Sequence, residues 1–320
     1  MQQNDADDVV FVTGATGRLG RAAVKTLTQD GCTVRALMIA QEEVRHLPPG
    51  TVPFSGTLLN KQVLDDACRG AGVVFHFAAI VGVANATAEE AMTTNVEGTK
   101  NLLDACKRNN VKHLIFSSSI DVYGSKRKGS LSEETRPMPT DKYGYSKMLA
   151  EQEIMKSGVP YTILRIGTIY GHGFEHSFFK VFRAIREGKM VIVGRGNNHM
   201  SLISLQDLIK AIMLVKENRQ TATDRVYNVS DGVAYTQEGL IDTAADLLKV
   251  ERPKRHVSEL LVKMLAKSRG LDSDELRFLT SERVLDISRI KKDLGFAPDI
   301  DIKTGMGELV NEFLNRAKTK

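Results

Sequence analysis

The sequence predicts an α/β fold, with a doubly wound parallel sheet and a smaller, mostly helical second domain. Short runs of apolar and β-branched residues alternate with helical patterns along the first half of the chain, and this alternation is typical of a parallel sheet with helices on both faces. The first apolar run passes through a glycine-rich turn directly into a helical pattern. The 320 residues exceed one typical core but suffice for a large α/β domain with a smaller partner.

Residues 9–20 contain the first predicted strand, the glycine turn and the start of the first helix. Gly14, Gly17 and Gly20 follow the apolar run, and a helical pattern is established by Ala22. Glycine lets the backbone approach a pyrophosphate closely, and the free N–H groups and positive dipole end of a helix attract anions. Because strand, turn and helix occur in this order, the stretch predicts a dinucleotide-binding site rather than an ordinary β–α turn.

The second predicted strand, residues 33–38, bears on the choice of cofactor. An acidic residue at its end would accept hydrogen bonds from the free 2′-hydroxyl of NAD and would repel the 2′-phosphate of NADP. The sequence has Met38 and Ile39 there, and Arg18 and Arg35 fall near enough in this scheme to reach a 2′-phosphate. These residues favour NADP slightly, while two exposed arginines and a cofactor of either kind are an equal alternative.

Further strands and helices follow in alternation. Small residues end an apolar strand predicted over residues 72–79, where a cofactor can lie against the backbone. His76 falls inside that strand, so we interpret it as a hydrogen-bonded structural histidine. The other predicted elements are a strand at 52–58, a helix at 62–68, a long helix at 88–108 and a strand at 112–116.

A serine, a tyrosine and a lysine are expected near the end of that last strand. Ser119 follows the strand, and a polar loop leads to a helix over residues 143–156 that carries Tyr143 and Lys147 on one face. A fixed ammonium lowers the pKa of a neighbouring phenol, which can then exchange a proton at neutral pH. With a serine hydroxyl to hold the substrate oxygen, the pattern predicts hydride transfer to or from a nicotinamide.

Several motifs occur in a fixed order along the chain. They are Thr13-Gly-Ala-Thr-Gly-Arg-Leu-Gly20, His76-Phe-Ala-Ala79, Asn95-Val-Glu-Gly-Thr99, residues 117–124, Tyr143-Gly-Tyr-Ser-Lys147, Leu164-Arg-Ile-Gly-Thr-Ile-Tyr-Gly171, Tyr227-Asn-Val229 and Ile290-Lys-Lys-Asp-Leu-Gly295. On these motifs the chain resembles the extended short-chain dehydrogenase/reductases, which include nucleotide-sugar epimerases, dehydratases and 3β-hydroxysteroid-type dehydrogenases. The resemblance implies a Rossmann-type domain over residues 1–170, with 201–232 returning to it, and a substrate-binding domain from 171–200 and 233–320.

The resemblance also implies a role for each matching residue. Tyr143 is implied as the catalytic acid/base, Lys147 as the residue that tunes it and holds the nicotinamide ribose, and Ser119 as the hydroxyl that polarises the reacting carbonyl. The implied ligands of NAD or NADP are Gly14, Thr16, Gly17, Arg18, Leu19, Gly20, Ala78, Ala79, Asn95, Tyr143, Lys147 and Ile166. The implied substrate-binding residues are Ser119, Asp121, Thr168, His172, Met200 and Arg277.

The chain departs from the family pattern at three places. Gly56-Thr-Leu58 replaces a common Gly-Asp-Leu near the adenine, and Arg165-Ile-Gly167 followed by Thr168 replaces Arg-Pro-Gly followed by asparagine. Met200 stands where an arginine is common, so Arg277 or Arg283 is left to supply a cation for a substrate diphosphate.

Three reactions compete on this scaffold. The closing pattern at residues 279–295 favours a nucleotide-sugar epimerase, which needs the tyrosine, the serine, a retained NAD and room for a keto-sugar to rotate. The alternative is an NADP-dependent ketone or alcohol dehydrogenase of the 3β-hydroxysteroid or dihydroflavonol type. An apolar substrate of such an enzyme could contact the phenylalanines Phe174, Phe178, Phe179 and Phe182. These residues fall partly at helical spacing, so we expect them to pack in the core instead. Ile120-Asp121 in place of Asp-Glu disfavours a dehydratase, and the intact Ser119, Tyr143 and Lys147 disfavour a non-catalytic NADP-binding sensor.

Composition restricts the remaining classes. The net charge of +5 comes from basic residues interleaved with acidic ones, a pattern that does not favour nucleic-acid binding. Three cysteines without metal-ligand spacing indicate packing thiols in a reduced protein and no metal site. We expect a cytoplasmic protein without membrane contact, because the first residues are polar and acidic and no apolar run is long enough to span a bilayer. The family resemblance implies a homodimer through the helices at 88–108 and 143–156.

Overall fold

Seven parallel strands form the main sheet of the protein. The computed structural model describes residues 9–81, 87–262, 264 and 280–318. Numbered along the chain, the strands of the main sheet are β1 (Val9–Thr13), β2 (Thr33–Met38), β3 (Val52–Ser55), β4 (Val73–His76), β5 (His113–Ser119), β7 (Tyr161–Ile166) and β11 (Arg225–Val229). Their order is β11-β7-β5-β4-β1-β2-β3, so the strand order reverses between β1 and β4. Ligands of such sheets bind at the carboxyl ends of the strands beside this reversal.

Helices cover both faces of the main sheet. On one face lie α1 (Arg18–Gln29), α7 (Leu205–Glu217) and α10 (Ser288–Leu294), and on the other lie α2 (Lys61–Cys68), α4 (Gly98–Arg108) and α5 (Lys142–Lys156). Each helix buries an apolar stripe against the strands, for example Val24 and Leu27 of α1. The predicted doubly wound parallel sheet is confirmed.

A smaller second region covers the carboxyl edge of the main sheet. Its five-stranded sheet consists of β6 (Lys126–Leu131), β8 (Thr168–Tyr170), β10 (His199–Ser204), β12 (Ala234–Thr236) and β14 (Glu282–Leu285), with β10 paired to β8, β12 and β14. Strands β9 (Ile192–Val193) and β13 (His256–Val257) form a separate pair. Helices α6 (Glu175–Arg186), α9 (Gln237–Leu248) and α11 (Ile302–Lys318) share a core of their own, to which Phe178 and Phe182 contribute.

The structure corrects three predicted elements. Of the segment 201–232, β11 joins the main sheet and α7 packs on its face, whereas β10 pairs with strands of the second region. The helix predicted over 88–108 is divided into α3 (Ala88–Met92), a π-helical turn (Thr93–Glu97) and α4. Strand β6 lies where a polar loop was expected. Its pairing with β14 could not be predicted, because β14 is distant in the sequence.

Short helical turns and three buried cysteines complete the fold. A short α8 (Arg219–Ala222) precedes β11, and 3₁₀ turns cover Gln41–His46 and Ile120–Tyr123. All three cysteines are free and buried, so the prediction of packing thiols is confirmed. Across the described ranges, no helix combines the length and apolar character needed to cross a bilayer.

Candidate active site

The glycine turn lies at the strand-order reversal and has the shape of a phosphate cradle. Gly14 has a positive φ of 67°, and a Cβ at this position would lie 2.6 Å from the backbone nitrogen of Ala78. Gly17 is the N-cap of α1 and has no side chain that could cover the free N–H groups of the first turn. A Cβ on Gly20 would overlap the Gly14 carbonyl. These features fit a dinucleotide pyrophosphate at the start of α1.

Polar groups behind the turn are satisfied within the protein. The Nδ1 and Nε2 atoms of His76 lie 2.8 Å from the Thr13 hydroxyl and 2.9 Å from the Thr99 hydroxyl. Burial, aided by the charge of Lys147, lowers the pKa of His76 to about 3, so the imidazole is neutral at physiological pH. The prediction of a structural histidine is confirmed.

The adenosine end of the site differs from the sequence-based expectation. The Arg35 guanidinium donates to the carbonyls of Ala67 and Arg69 at the C-terminal end of α2. This end of α2 lies at the amino edge of the parallel sheet, so the expectation that Arg35 reaches a 2′-phosphate is wrong. Arg18 is exposed at the start of α1, with its guanidinium carbon 5.7 Å from the centre of the Phe174 ring.

The predicted catalytic residues converge at the carboxyl edge of the sheet. Ser119 ends β5 and is paired in register with Ile166, the last residue of β7. Tyr143 and Lys147 lie in the first two turns of α5, and Gly144 lets this helix approach the turn after Ser119, because a Cβ there would overlap the carbonyl of Asp121. Close packing of α5 on the 3₁₀ turn therefore brings Tyr143 and Lys147 next to Ser119.

Lys147 is buried beneath Tyr143. Its ammonium donates to the Ser117 carbonyl over 2.7 Å and lies 4.5 Å from the centre of the Phe116 ring and 5.9 Å from that of Tyr143. Burial lowers the pKa of Lys147 to about 7, and the Glu151 carboxylate opposes this shift. Lys147 can therefore gain or lose its charge near neutral pH.

Asn95 connects the catalytic helix to the loop after β4. Its amide nitrogen donates to the Ser146 hydroxyl (2.9 Å) and the Ile80 carbonyl (3.1 Å), and its oxygen accepts from the Ile80 N–H (2.8 Å). This residue lies in the π-helical turn that interrupts the predicted helix, and such turns often occur at functional sites. A direct contact of Asn95 with the cofactor stays a prediction.

A buried ion pair extends the site beyond the three catalytic candidates. Ser119 donates its hydroxyl hydrogen to one carboxylate oxygen of Asp121 (3.0 Å), and the backbone N–H of Asp121 donates to the Ser119 hydroxyl oxygen (3.1 Å). The other carboxylate oxygen of Asp121 accepts from Arg283, 162 residues away on β14. From the sequence, Arg283 was one of two candidates for a cation that binds the substrate diphosphate. Its pairing with Asp121 could not be inferred.

Ser119, Asp121 and Arg283 line a cleft of about 230 Å³ between the main sheet and the second region. Thr168, a predicted substrate residue, lies in its wall, and Phe174 lines it instead of packing in a core. The lining comprises Arg18, Ser119, Ile120, Asp121, Gly167, Thr168, Ile169, Phe174, Ser177, Phe178 and Arg283. The cleft therefore combines donors, acceptors and two aromatic rings.

The other predicted substrate residues have different positions. His172 is exposed, with its ring nitrogen 4.0 Å from Glu312, and it is not part of the cleft lining. Met200 is buried in β10 beside Arg283 and lines two small spaces of about 10 and 20 Å³, and it is not part of the cleft lining. Arg277 lies outside the described residues.

A second buried network lies directly behind Lys147, and sequence reasoning missed it. Glu151, one helical turn after Lys147, forms hydrogen bonds with Arg165 at 2.8 to 3.2 Å and accepts from the Ser118 hydroxyl. Arg165 also donates to the Tyr123 hydroxyl (2.9 Å), which donates to Asn228 on β11 (2.8 Å). The available signals were an arginine inside an otherwise apolar strand and a glutamate on the Lys147 face of α5.

The glycine cradle, the parallel sheet and the Ser119, Tyr143 and Lys147 constellation define an NAD(P)-dependent enzyme of the extended short-chain dehydrogenase/reductase class. The chain belongs to the NAD dependent epimerase/dehydratase family, whose model matches residues 10–230. This match includes the glycine turn and all three catalytic candidates. NAD or NADP is accordingly the cofactor.

Similar proteins include both epimerases and dehydrogenases. The chain is 28% identical to a UDP-glucose 4-epimerase of Vibrio cholerae, with 95% of each chain covered. It is 26% identical to a 3-beta-hydroxysteroid dehydrogenase of Mycolicibacterium neoaurum, with 93% of this chain and 89% of the relative covered. The solved structure of MoeE5 in complex with UDP-glucose and NAD has 26% identity and a TM-score of 0.77, with 97% and 99% of the two chains covered.

Proposed function

We propose that the protein is an NAD-dependent nucleotide-sugar epimerase. The observation that carries this proposal is the convergence of Ser119, Tyr143 and Lys147 beside the glycine cradle. The Vibrio cholerae relative is a UDP-glucose 4-epimerase, and MoeE5 binds UDP-glucose together with NAD. The Arg35 contacts with α2 remove one of the two arginines that favoured NADP, which supports NAD as the cofactor.

The proposed mechanism uses the three side chains in separate roles. Tyr143 takes the proton of a sugar hydroxyl and later returns it, while the Lys147 ammonium stabilises the phenolate. Ser119 forms a hydrogen bond with the same sugar oxygen. A bound NAD would supply a reversible hydride acceptor for the sugar carbon, and rotation of the keto-sugar in the cleft between the two transfers would invert that carbon. The polar part of the cleft lining, including Thr168 and Ser177, supplies further contacts for sugar hydroxyls.

Two arginines of the cleft lining, Arg18 and Arg283, could meet a substrate diphosphate. Arg283 is engaged by Asp121, so a substrate diphosphate would compete with that carboxylate. Arg18 lies at the start of α1, by the cofactor turn, where a cofactor phosphate would engage it. We therefore retain Arg277 as the candidate for diphosphate binding.

A reductase is the second candidate because of the aromatic part of the cleft. Phe174 and Phe178 line it, and the Mycolicibacterium neoaurum relative is a 3-beta-hydroxysteroid dehydrogenase. Apolar side chains in a pocket favour an apolar substrate. The same catalytic residues would then reduce a ketone with exchangeable cofactor.

Bound nucleotide and product analysis distinguish the two candidates. The purified protein is denatured and its nucleotide identified by mass spectrometry, and affinities for NAD and NADP are measured by titration. UDP-glucose, UDP-N-acetylglucosamine and UDP-glucuronic acid are then incubated with the enzyme and examined for their 4-epimers by NMR. Co-purified NAD and an epimeric product support the proposal. A site that exchanges NADP freely, with turnover of ketones and no epimer, contradicts it.

Replacement of the proposed acid/base tests the mechanism. We expect Tyr143→Phe to lower kcat by about 10²- to 10⁴-fold without loss of cofactor affinity, because the ring is kept and only the hydroxyl is removed. The matched control is Tyr145→Phe, which removes the same atom from an exposed residue on the same helix. Full activity of Tyr143→Phe would refute the assignment.

The proposal also covers the oligomeric state, the cellular location and the role of the second region. A homodimer is proposed through α5, where Tyr145 and Met155 are exposed together with Met138 from the preceding loop. The three buried free thiols support a cytoplasmic location. The second region, which supplies Phe174, Phe178 and Arg283 to the cleft, is proposed as the substrate-binding domain.

A further inference from the structure

We propose that Glu151 is a positioning residue whose buried carboxylate keeps the Lys147 side chain in its charged form for the reaction. Lys147, Glu151 and Arg165 are only 2%, 1% and 3% exposed. Lys147 and Glu151 lie one turn apart on the same face of α5. Lys147 donates to the Ser117 carbonyl and Glu151 accepts from the Ser118 hydroxyl, so adjacent residues of β5 hold both side chains.

The buried groups behind Tyr143 carry two positive charges and one negative charge. A buried cation is unfavourable without an anion, because it loses its hydration shell and gains no partner. Glu151 supplies that anion, and hydrogen bonds from two nitrogens of Arg165 hold its carboxylate in place. The excess of one positive charge is balanced when Tyr143 is a phenolate. The cluster therefore has the charge that the proposed acid/base requires.

The other titratable groups around Lys147 leave this role to Glu151. His76 of β4 is neutral at physiological pH because burial lowers its pKa to about 3. Asp121, in the turn after β5, is engaged by the guanidinium on β14. The charged residues of α3, the π-helical turn and the first half of α4 lie at the surface, namely Glu89, Glu90, Glu97, Lys100 and Asp104.

The consequence is the pH range in which Lys147 is charged. Burial lowers the pKa of Lys147 to about 7, against the opposing effect of the Glu151 carboxylate. Without this carboxylate the ammonium would lose its proton below neutral pH, and the Tyr143 phenolate would lose its stabilising charge. The inference rests on the proposed function in that the reaction uses the charged form of Lys147.

The deciding variant removes the carboxylate and its partner together. Glu151→Gln alone leaves the Arg165 guanidinium buried without an anion, which endangers folding. Glu151→Gln combined with Arg165→Met replaces both groups by neutral side chains of similar size, and replacement of a whole buried ion pair is often neutral for stability. The glutamine oxygen can still accept from the Ser118 hydroxyl.

NMR of the full chain with lysine ¹³C-labelled next to the amine measures the titration without substrate. We expect the proton affinity of Lys147 to fall by about tenfold in the double variant. General loosening of the packing would act in the opposite direction, because entry of water returns the pKa towards the ordinary 10.5. An unchanged or increased proton affinity of Lys147 in the double variant would overturn the inference.

Two control variants test whether the charge at this position is what matters. Glu153→Gln removes the same charge from a half-buried position on the same helix, and it should leave the titration of Lys147 unchanged. Glu151→Asp keeps the charge beside Arg165, and it should hold the proton affinity of Lys147 within about threefold of the original. A tenfold loss in either control would show that the Glu151 charge is not the cause.

The pH dependence of kcat, with UDP-glucose as the probe, tests the link to the reaction. In the double variant we expect the decline on the alkaline side to begin about one pH unit lower than in the original protein. The same alkaline limit in both proteins would overturn the role of Glu151 in the reaction. If the original protein does not turn over UDP-glucose, that result counts against the proposed function, and the NMR titration decides the inference by itself.

Discussion

At the scale of single residues, the site depends on backbone approach and on burial. Gly14 and Gly144 allow contacts that any side chain would block, one between the cradle and β4 and the other between α5 and the turn after β5. Lys147 depends on burial in a different way, because desolvation lowers the pKa of its ammonium to about 7. Each residue therefore has a property that only its surroundings confer.

Gly14→Ala tests the close approach in the cradle. A positive φ costs a non-glycine residue about 1–2 kcal/mol, and overlap with the Ala78 nitrogen adds a further cost of about 1–3 kcal/mol. We expect a larger loss of unfolding free energy than in Gly31→Ala, where φ is also positive but a Cβ meets no atom within 4 Å. Urea unfolding measures the free energy of unfolding, and titration with NAD measures the affinity of the cradle. Equal losses in both variants would contradict the packing argument.

The lowered pKa of Lys147 predicts a titration near neutral pH. In the folded protein the ammonium is lost as pH rises through about 7, whereas an ordinary lysine keeps its proton to about 10.5. Catalysis that needs the charged form should decline above this pH. Folding releases this proton between the two values, so this group favours the folded state increasingly as pH rises from 7 to 10.5.

NMR of lysine labelled with ¹³C next to the amine measures this titration directly. We expect one resonance that titrates near pH 7 and is missing from the spectrum of Lys147→Arg. If every lysine resonance titrates near the ordinary value, the burial argument is wrong.

At the scale of elements, α5 is fixed by polar contacts in addition to the apolar packing of Ala150 and Ile154. Asp141 caps its first turn, Lys147 binds the end of β5, and Glu151 binds Arg165 of β7. A helix on a parallel sheet usually makes such contacts through apolar residues. Here the ion pair also adds a negative charge that opposes the loss of the Lys147 proton.

Glu151→Gln is expected to destabilise the protein strongly. It leaves the buried Arg165 guanidinium without its anion, and breaking a buried pair in this way costs about 3–5 kcal/mol. The matched control is Glu134→Gln, because Glu134 is exposed and pairs with Arg289 at the surface; such pairs contribute about 0–1 kcal/mol. Both values come from urea unfolding, and a similar small loss in both variants would show that the pair is dispensable.

At the scale of the whole molecule, the two sheets are joined around the cleft. Asn228 on β11 of the main sheet accepts from Tyr123, donates to the Leu131 carbonyl on β6 and donates to the Asp286 carbonyl just after β14. Arg283 on β14 reaches Asp121 at the end of β5. Buried polar contacts at two places thus bind the second region to the main sheet.

The exposed apolar side chains of α5 predict the assembly. We expect a homodimer by light scattering, and Met155→Glu should shift it towards the monomer, because a charge would be buried in the interface without a partner. Val52→Glu is the control, since Val52 is equally exposed on β3, the edge strand at the far side of the main sheet. A dimer that persists in Met155→Glu would place the interface elsewhere.

The sequence by itself determined the features that depend on local spacing. Strand and helix periodicity gave the alternation of the main sheet, the glycine turn marked the cofactor cradle, and the four-residue spacing placed Tyr143 and Lys147 on one helical face. The position of His76 inside a predicted strand also identified it as structural, although β4 ends at this residue. Each of these signals lies within a single element or between two consecutive ones, where backbone geometry relates sequence distance directly to spatial distance.

Only the tertiary structure decided which distant residues meet. The pairing of Asp121 with Arg283, the contacts of Arg165 with Glu151 and Tyr123, and the placement of β10 in the second sheet depend on how separate elements pack. The direction of the Arg35 side chain depends on the end of α2 that lies against it. Sequence spacing carries no measure of such contacts, because loop closure between distant segments is governed by the combined burial and hydrogen bonding of the whole chain.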